Sequence, residues 1–392
     1  MQPLDLSFSD TEIAFKHKSD YELKKSKFIF SLFKSKALVK YGPGLSVFGL
    51  KIGLPIKKLI KDTVFYQFCG GETIDECDKA VSVLWASHVG SILDYSVEGH
   101  EDEATFDANV LEIKHTIDKA KGNPKNPFCV FKPTGIARFA LLEKLDAGEK
   151  LDHDELAEYY RVVNRFDTIC KAAFDNKVRL FVDAEETWIQ KTLDSILNDM
   201  MEKYNKESVI VYNTVQLYRK GRVEFIQKCI ADAREKKYKL GFKLVRGAYL
   251  EKETERALKM NYPNPIQDTK IACDTDYDAA VKLCFDNRDI VAICAGTHNE
   301  QSSMKLAELM AEAGVDKSDP HFWFAQLYGM SDNISFNLAA KGYNVAKYLP
   351  YGPLRYVMPY LGRRAKENSS MSGQMGRELS LIMTELKRRK LA

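Results

Sequence analysis

"VIVYNTVQLYRKGRVEFIQKCIADAREKKYKLGFKLVR", residues 209–246, decides the fold. It opens on a short β-rich run, VIVYNT (209–214), and closes on another, GFKLVR (241–246). The helical stretch FIQKCIADAREKKY lies between them. Both runs are almost continuously apolar, which suits strands buried on both faces of a parallel sheet. The same unit recurs along the chain. Further runs are SILDYS (91–96), FCVFKP (128–133), VRLFVD (178–183), VAICAG (291–296), FWFAQL (322–327) and NVAKYL (344–349), with helical segments such as SSMKLAELMAEAG between them. Eight strand–helix units over about 280 residues point to an α/β fold, a (β/α)8 barrel of the TIM type. A doubly wound sheet usually carries a phosphate-binding glycine loop after its first strand. Neither G-x-G-x-x-G nor G-x-x-x-x-G-K-[ST] occurs here.

Outside the repeat, residues 1–90 read as a helical N-terminal region and residues 91–392 as the barrel domain. A helical insertion is expected at about 136–177, where DAGEKLDHDELAEYYRVVNRFDTICKAAFDN offers Asp152 as an N-cap with Glu155 three residues on. In the N-terminal region, YELKKSKFIFSLFKSKALVKYGPG mixes lysines with Phe28, Ile29, Phe30, Leu32 and Phe33. A Gly/Pro break is expected at 42–44, followed by LSVFGLKIGLPIKKLIKDTVFYQF. Two readings stand. These are helices on a core with lysines in water, or a basic amphipathic surface resting on a membrane.

The bulk numbers exclude some classes. A net charge of +3, with Lys and Arg spread evenly, gives no nucleic-acid footprint. The eight cysteines form no C-x-x-C pair, so they read as reduced thiols filling cores rather than as a zinc or redox site. The N-terminus has no apolar signal core. Asp5, Asp10, Glu12, Asp20 and Glu22 argue against an acid-poor transit peptide. No apolar run reaches transmembrane length. The expected location is cytoplasmic, or the matrix side of a mitochondrion for a trimmed eukaryotic protein.

Chemistry in such a barrel gathers at the C-terminal strand ends. The residues there are Glu98, Lys132, Asp183 with Glu185 and Glu186, Gln216, Lys243 with Arg246, Ala248 and Tyr249, Thr297-His298-Asn299-Glu300, Gln326 with Leu327, and Tyr348. Cations and amides abound, while nucleophiles are few. There is no G-x-S-x-G elbow. His298 is the only strand-end histidine, so no metal site is expected. Lys132 or Lys243 could form a Schiff base, as in barrel lyases. A bench of donors equally suits an anionic cofactor and a small carboxylate.

After the eighth run comes YLPYGPLRYVMPYLGRRAKENSS (348–370). Pro359 fits the start of a final helix, at about 358–368. Arg363 and Glu367 are four apart and share a face. A guanidinium fork matches a carboxylate, and Glu367 can hold an arginine or receive an ammonium. A solvated helix face is the plainer alternative. The surrounding Tyr348, Tyr351, Tyr356 and Tyr360 favour a small-molecule pocket.

This stretch resembles the signature of the proline dehydrogenase family, Tyr-x-x-Arg-Arg-x-x-Glu, which stands here as Tyr360-Leu-Gly-Arg363-Arg364-Ala-Lys-Glu367. LDYSVEG, VDAEETW, NTVQLY, KLVRGAYLEKE, THNE, FAQLYGM and YLPYGP resemble further family landmarks, in family order, over roughly residues 90–370. The resemblance implies a distorted (β/α)8 barrel with its last helix over the mouth. It implies FAD at the strand ends and oxidation of L-proline to Δ1-pyrroline-5-carboxylate, with electrons passed to a membrane quinone, ubiquinone or menaquinone. Peripheral contact with the inner membrane would follow from that acceptor.

Residue by residue, the resemblance implies that Arg363 and Arg364 clamp the carboxylate, with Lys132 as a third cation and Glu367 orienting the pair. Tyr348, Tyr360 and Leu327 would wall the ring, and Asp183 would lie near substrate and flavin. Lys243 would sit near the flavin. Gln216, Arg246, Ala248, Tyr249, Thr297, His298 and Asn299 would touch the flavin or its tail. Glu98 matches a family acid, and Tyr356 lies in a loop that departs from relatives with an acid nearby. Related hydroxyproline dehydrogenases tend to have serine where Tyr348 stands, so tyrosine favours unsubstituted proline. No second module resembling an aldehyde dehydrogenase is seen, which implies a monofunctional enzyme. A Schiff-base lyase and a non-catalytic amino-acid sensor remain the readings from other classes.

Overall fold

A computed structural model describes residues 4–95, 101–370 and 372–391. For Lys36 and for residues 367–375 no side chain is described. The eight apolar runs form eight strands. They are β1 (Val89–Tyr95), β2 (Phe128–Phe131), β3 (Arg179–Val182), β4 (Val211–Gln216), β5 (Leu240–Val245), β6 (Val291–Gly296), β7 (Phe322–Leu327) and β8 (Val345–Tyr351). They follow one another in sequence order around a closed barrel. The pairs from β2 through β7 and the β8–β1 pair are parallel, for example Val89 opposite Val345 and Tyr95 opposite Tyr351. The barrel expected from the strand–helix repeat is therefore present.

The chain divides into two compact units, Met1–Glu98 with Gln326–Ala392, and Gly99–Ala325. In the second unit the barrel floor is aromatic. The Phe128 and Phe181 rings stack at 4.2 Å, and Tyr212 meets Phe181 edge-on at 5.3 Å. Gly241 makes room for this floor, because a Cβ there would lie 2.6 Å from the Tyr212 ring. Between β2 and β3 stand two helices, Phe139–Asp146 and His153–Asn176. Asp152 caps the longer one in a capping box with Glu155, as its spacing predicts.

In the first unit a single apolar cluster joins Phe30, Phe33 and Phe68 to Val357, Met358, Tyr360 and Leu361. The N-terminal helices thus pack on the helix that carries the arginine pair. Two proline expectations need correction. The Gly/Pro break expected at 42–44 is no break, since one helix runs Lys36–Lys51 through Pro43. Likewise Pro359 does not start the last barrel helix, which begins at Leu354 and runs to Ser370 with Pro359 inside. A proline in a helix forfeits one backbone hydrogen bond and crowds the preceding turn. Tertiary packing outweighs that cost here. The two helices lie together, with Gly362 opposite Pro43, where a Cβ would meet the proline ring at 3.4 Å.

The other side of the Lys36–Lys51 helix and the turn beyond it is bare. Leu38, Tyr41, Leu45, Phe48, Ile52, Leu54 and Leu59 are all exposed, among Lys40, Lys51, Lys57 and Lys58. Among the described residues no helix is long and apolar enough to cross a membrane. All eight cysteines are buried, and none forms a disulfide.

Candidate active site

In the unit spanning residues 99–325, β3 and β5 deliver the central charges. Asp183 follows β3 directly, and its N–H donates to the Phe131 carbonyl of β2 at 3.0 Å. Its carboxylate accepts from Lys243 Nζ, and its other oxygen lies 3.6 Å from Lys132 Nζ. The Lys243 side chain is only 6% exposed and lies 5.4 Å from the Phe181 ring centroid. Two lysines thus converge on one mostly buried carboxylate beside an aromatic floor. A low-dielectric wall strengthens the attraction between them.

Two further groups form around this triad. Gln216, buried at the end of β4, donates through Nε2 to the Glu185 carbonyl at 2.9 Å. Its Oε1 is buried without a hydrogen-bond partner. Arg246 donates to Asp274 at 2.7 Å, Thr297 at 2.6 Å and Ser302 at 3.0 Å, and stacks over Tyr277. Asn299 uses its side chain to cap the Glu300–Glu312 helix, accepting from Gln301 and Ser302 N–H groups. Arg246, Thr297 and Asn299 therefore stand together. Tyr249 is half-buried and Ala248 exposed on the loop after β5, and His298 is half-buried beside Thr297.

Sequence reasoning gave no role to Glu185, which the structure makes a hub. It accepts from Thr134 Oγ1 at 2.9 Å and from Tyr249 Oη at 3.0 Å. Burial and the neighbouring Glu186 push its carboxyl from the ordinary 4.5 up to about 7, against the pull of Lys132. The folded state thus keeps a proton that the unfolded chain releases above pH 4.5. The resulting stability is full below that pH and is lost as pH rises through about 7. Glu185→Gln should remove this loss, up to about 3 kcal/mol by linkage. Thermal midpoints at pH 5 and pH 8, compared with wild type, would show it as a flatter profile. An unchanged slope would contradict the assignment.

In the other unit, Tyr348 is buried on β8, and its carbonyl accepts from Tyr328 N–H at 2.8 Å. Leu327, at the end of β7, packs on the apolar cluster that contains Tyr360. Arg364 is only 6% exposed, and its guanidinium lies 5.1 Å from the Tyr360 ring centroid, while Arg363 is half-buried. Glu98 and the side chain of Glu367 lie outside the described residues.

A family model described as proline dehydrogenase matches residues 77–377. The chain belongs to the proline dehydrogenase family. The carbapenem antibiotics biosynthesis protein CarD of Pectobacterium carotovorum is 35% identical over 322 residues, covering 82% of this chain and 83% of that one. Human mitochondrial proline dehydrogenase 1 is 37% identical over 298 residues, which span 74% of this chain but about half, 49%, of the human protein. A hydroxyproline dehydrogenase of Xenopus laevis is 30% identical and covers 98% of this chain and 90% of its own length. The proline dehydrogenase family thus includes relatives with either substrate in their names. In fold, the chain superposes on a Bdellovibrio bacteriovorus proline utilization A inactivated by N-propargylglycine. The TM-score is 0.72 at 17% identity, over 93% of this chain and 38% of that one.

Proposed function

We propose that this chain oxidises L-proline to Δ1-pyrroline-5-carboxylate, using FAD, and hands the electrons to a membrane quinone, ubiquinone or menaquinone. The observation that carries the reading is the arginine pair. In a chain matched by the proline dehydrogenase model, two guanidinium groups follow β8 on one helix, one of them buried on a tyrosine face. A guanidinium fork matches a carboxylate in shape and charge, and a buried setting strengthens the attraction.

The residues present fit a flavin. Gln216 Oε1 is a buried acceptor without a partner, suited to a ring N–H of the isoalloxazine. When bound, FAD supplies the acceptor for the hydride from the proline carbon beside nitrogen. Arg363 and Arg364 hold the carboxylate. Tyr348, Tyr360 and Leu327 wall the ring and exclude water. Lys243, held by Asp183, supplies fixed positive charge where the flavin gains electron density. Arg246, Ala248, Tyr249, Thr297, His298 and Asn299 carry the rest of the cofactor. The positive surroundings also lower the pKa of the ring amine, which must shed its proton before the carbon can lose hydride.

The test is an anaerobic absorption spectrum of the purified protein. A yellow protein whose flavin bands bleach on adding L-proline is expected. Hydroxyproline should bleach them more slowly, because Tyr348 fills the space a ring hydroxyl would need. A colourless protein that cannot be reconstituted with FAD would sink the reading.

A lipid-soluble acceptor gives the bare leucines, phenylalanine and lysines at 38–59 a role in resting on an anionic bilayer. Flotation with anionic vesicles should carry the protein upward. Leu45→Glu with Phe48→Glu should leave it at the bottom of the gradient. Equal flotation of the variant would reject this face as the contact.

A further inference from the structure

Residues Gly70, Gly71 and Glu72 run beside the end of β8 and reach the first turn of the arginine helix. The Gly70 N–H donates to the Pro350 carbonyl at 2.9 Å. Gly71 pairs with Tyr351 as an isolated bridge, and its carbonyl accepts from Gly352 N–H at 3.1 Å. Glu72 Oε1 then accepts from Leu354 N–H at 2.9 Å. Successive residues therefore follow the chain from strand, through Gly352-Pro353, to the helix start. The path has little slack. A Cβ on Gly71 would lie 2.4 Å from Glu76 Cβ, and one on Gly70 would lie 2.8 Å from Cys77 Sγ.

Pro353 has no N–H, so Leu354 presents the first donor of the Leu354–Ser370 helix. The opening N–H groups of a helix have no partner within it, and a carboxylate there also meets the positive end of the helix dipole. The other oxygen of Glu72 is held by Lys61 at 2.7 Å and Lys57 at 3.3 Å. The Glu72 N–H donates to Glu76 at 2.9 Å. Downstream, Pro359 removes one rung of the helix ladder between this anchored turn and the turn carrying the arginines. A helix weakened at that point depends on an external anchor for its register. Arg363 lies about 14 Å along the axis from Leu354.

We propose that Glu72 is a positioning residue. Its carboxylate fixes the start of the Leu354–Ser370 helix and thereby sets where Arg363 and Arg364 stand. The inference rests on the reading above, that these arginines bind the substrate carboxylate. Glu72 stays ionised at any working pH. Burial alone would raise its carboxyl, but bonds from Lys61, the Leu354 amide and Lys57 take it down to about 2.

The test is the reductive half-reaction of the holoenzyme, mixed anaerobically with L-proline and followed by flavin bleaching. Glu72→Ala should raise the apparent Kd for proline about tenfold, the loss of a charge-assisted anchor, at normal flavin content and a limiting rate within about twofold of wild type. Glu72→Gln keeps an oxygen for Leu354 and should stay within about twofold of wild type in Kd. A wild-type Kd in Glu72→Ala overturns the inference, and so does an equal loss in Glu72→Gln. If Glu72→Ala fails to retain flavin, Lys61→Met takes its place. A Kd raised about threefold then supports the role, and an unchanged one overturns it. Wild-type enzyme that proline does not bleach defeats the proposed function and this inference with it. Bleaching in wild type with an unaffected Glu72→Ala defeats the inference alone.

Discussion

Arg363→Met should raise KM for L-proline by about two orders of magnitude and leave the FAD content of the purified protein unchanged. A charge-assisted hydrogen bond is worth about 1.5–3 kcal/mol, and a guanidinium fork makes two. At about 1.4 kcal/mol per decade, losing roughly 3 kcal/mol gives the hundredfold. Arg363 is the cleaner target of the pair because it is half-buried. Arg364 is buried against the Tyr360 ring, so its removal would also cost packing and cation–π contact. Arg363→Lys should fall between wild type and methionine, since a lysine keeps the charge but not the planar fork. Steady-state kinetics with a quinone analogue, beside flavin stoichiometry from absorbance, would decide the point. A methionine variant with wild-type KM would return the arginine pair to a structural ion-binding role. One that loses its flavin would show that the pair serves the cofactor.

Much of this architecture was legible because parallel strands buried on both faces leave a mark that needs no partner to be seen. VAICAG and FWFAQL match β6 and β7 at both ends, whereas VIVYNT at 209–214 lies two residues early of β4, Val211–Gln216. Apolarity marks burial, and Val209 and Ile210 are buried without belonging to the strand. Pro43 and Pro359 misled for a related reason. Proline is a local stop signal, but the Lys36–Lys51 and Leu354–Ser370 helices are set by packing that local sequence does not reveal. At the site, strand-end position singled out Lys132, Asp183 and Lys243 one by one. Their convergence on one carboxylate joins β2, β3 and β5 and could not be read from spacing. Glu185 was visible as one of two adjacent acids after β3, but its burial was not. Glu72 was invisible as a functional residue, since its partner Leu354 is 282 positions away.

Lys243→Met should slow flavin reduction by proline about a hundredfold, while thermal stability falls as well. The two losses have different origins, and a second substitution separates them. Removing a fixed cation from a dry site forfeits preorganised electrostatic stabilisation, worth about 3 kcal/mol for one such group. Asp183, whose side chain is mostly buried, then loses its nearer lysine and keeps Lys132 at 3.6 Å. A buried charge stripped of its nearer partner destabilises the fold through desolvation that is no longer offset. Asp183→Asn in the Lys243→Met background removes that charge at nearly constant volume. Stability should therefore recover toward wild type, while the reduction rate should stay slow because the cation is still missing. Stopped-flow bleaching and thermal unfolding of the four proteins in the cycle supply both numbers. If the double variant regains rate together with stability, Lys243 is only the structural partner of Asp183. The charge that favours hydride transfer would then have to come from elsewhere in the site.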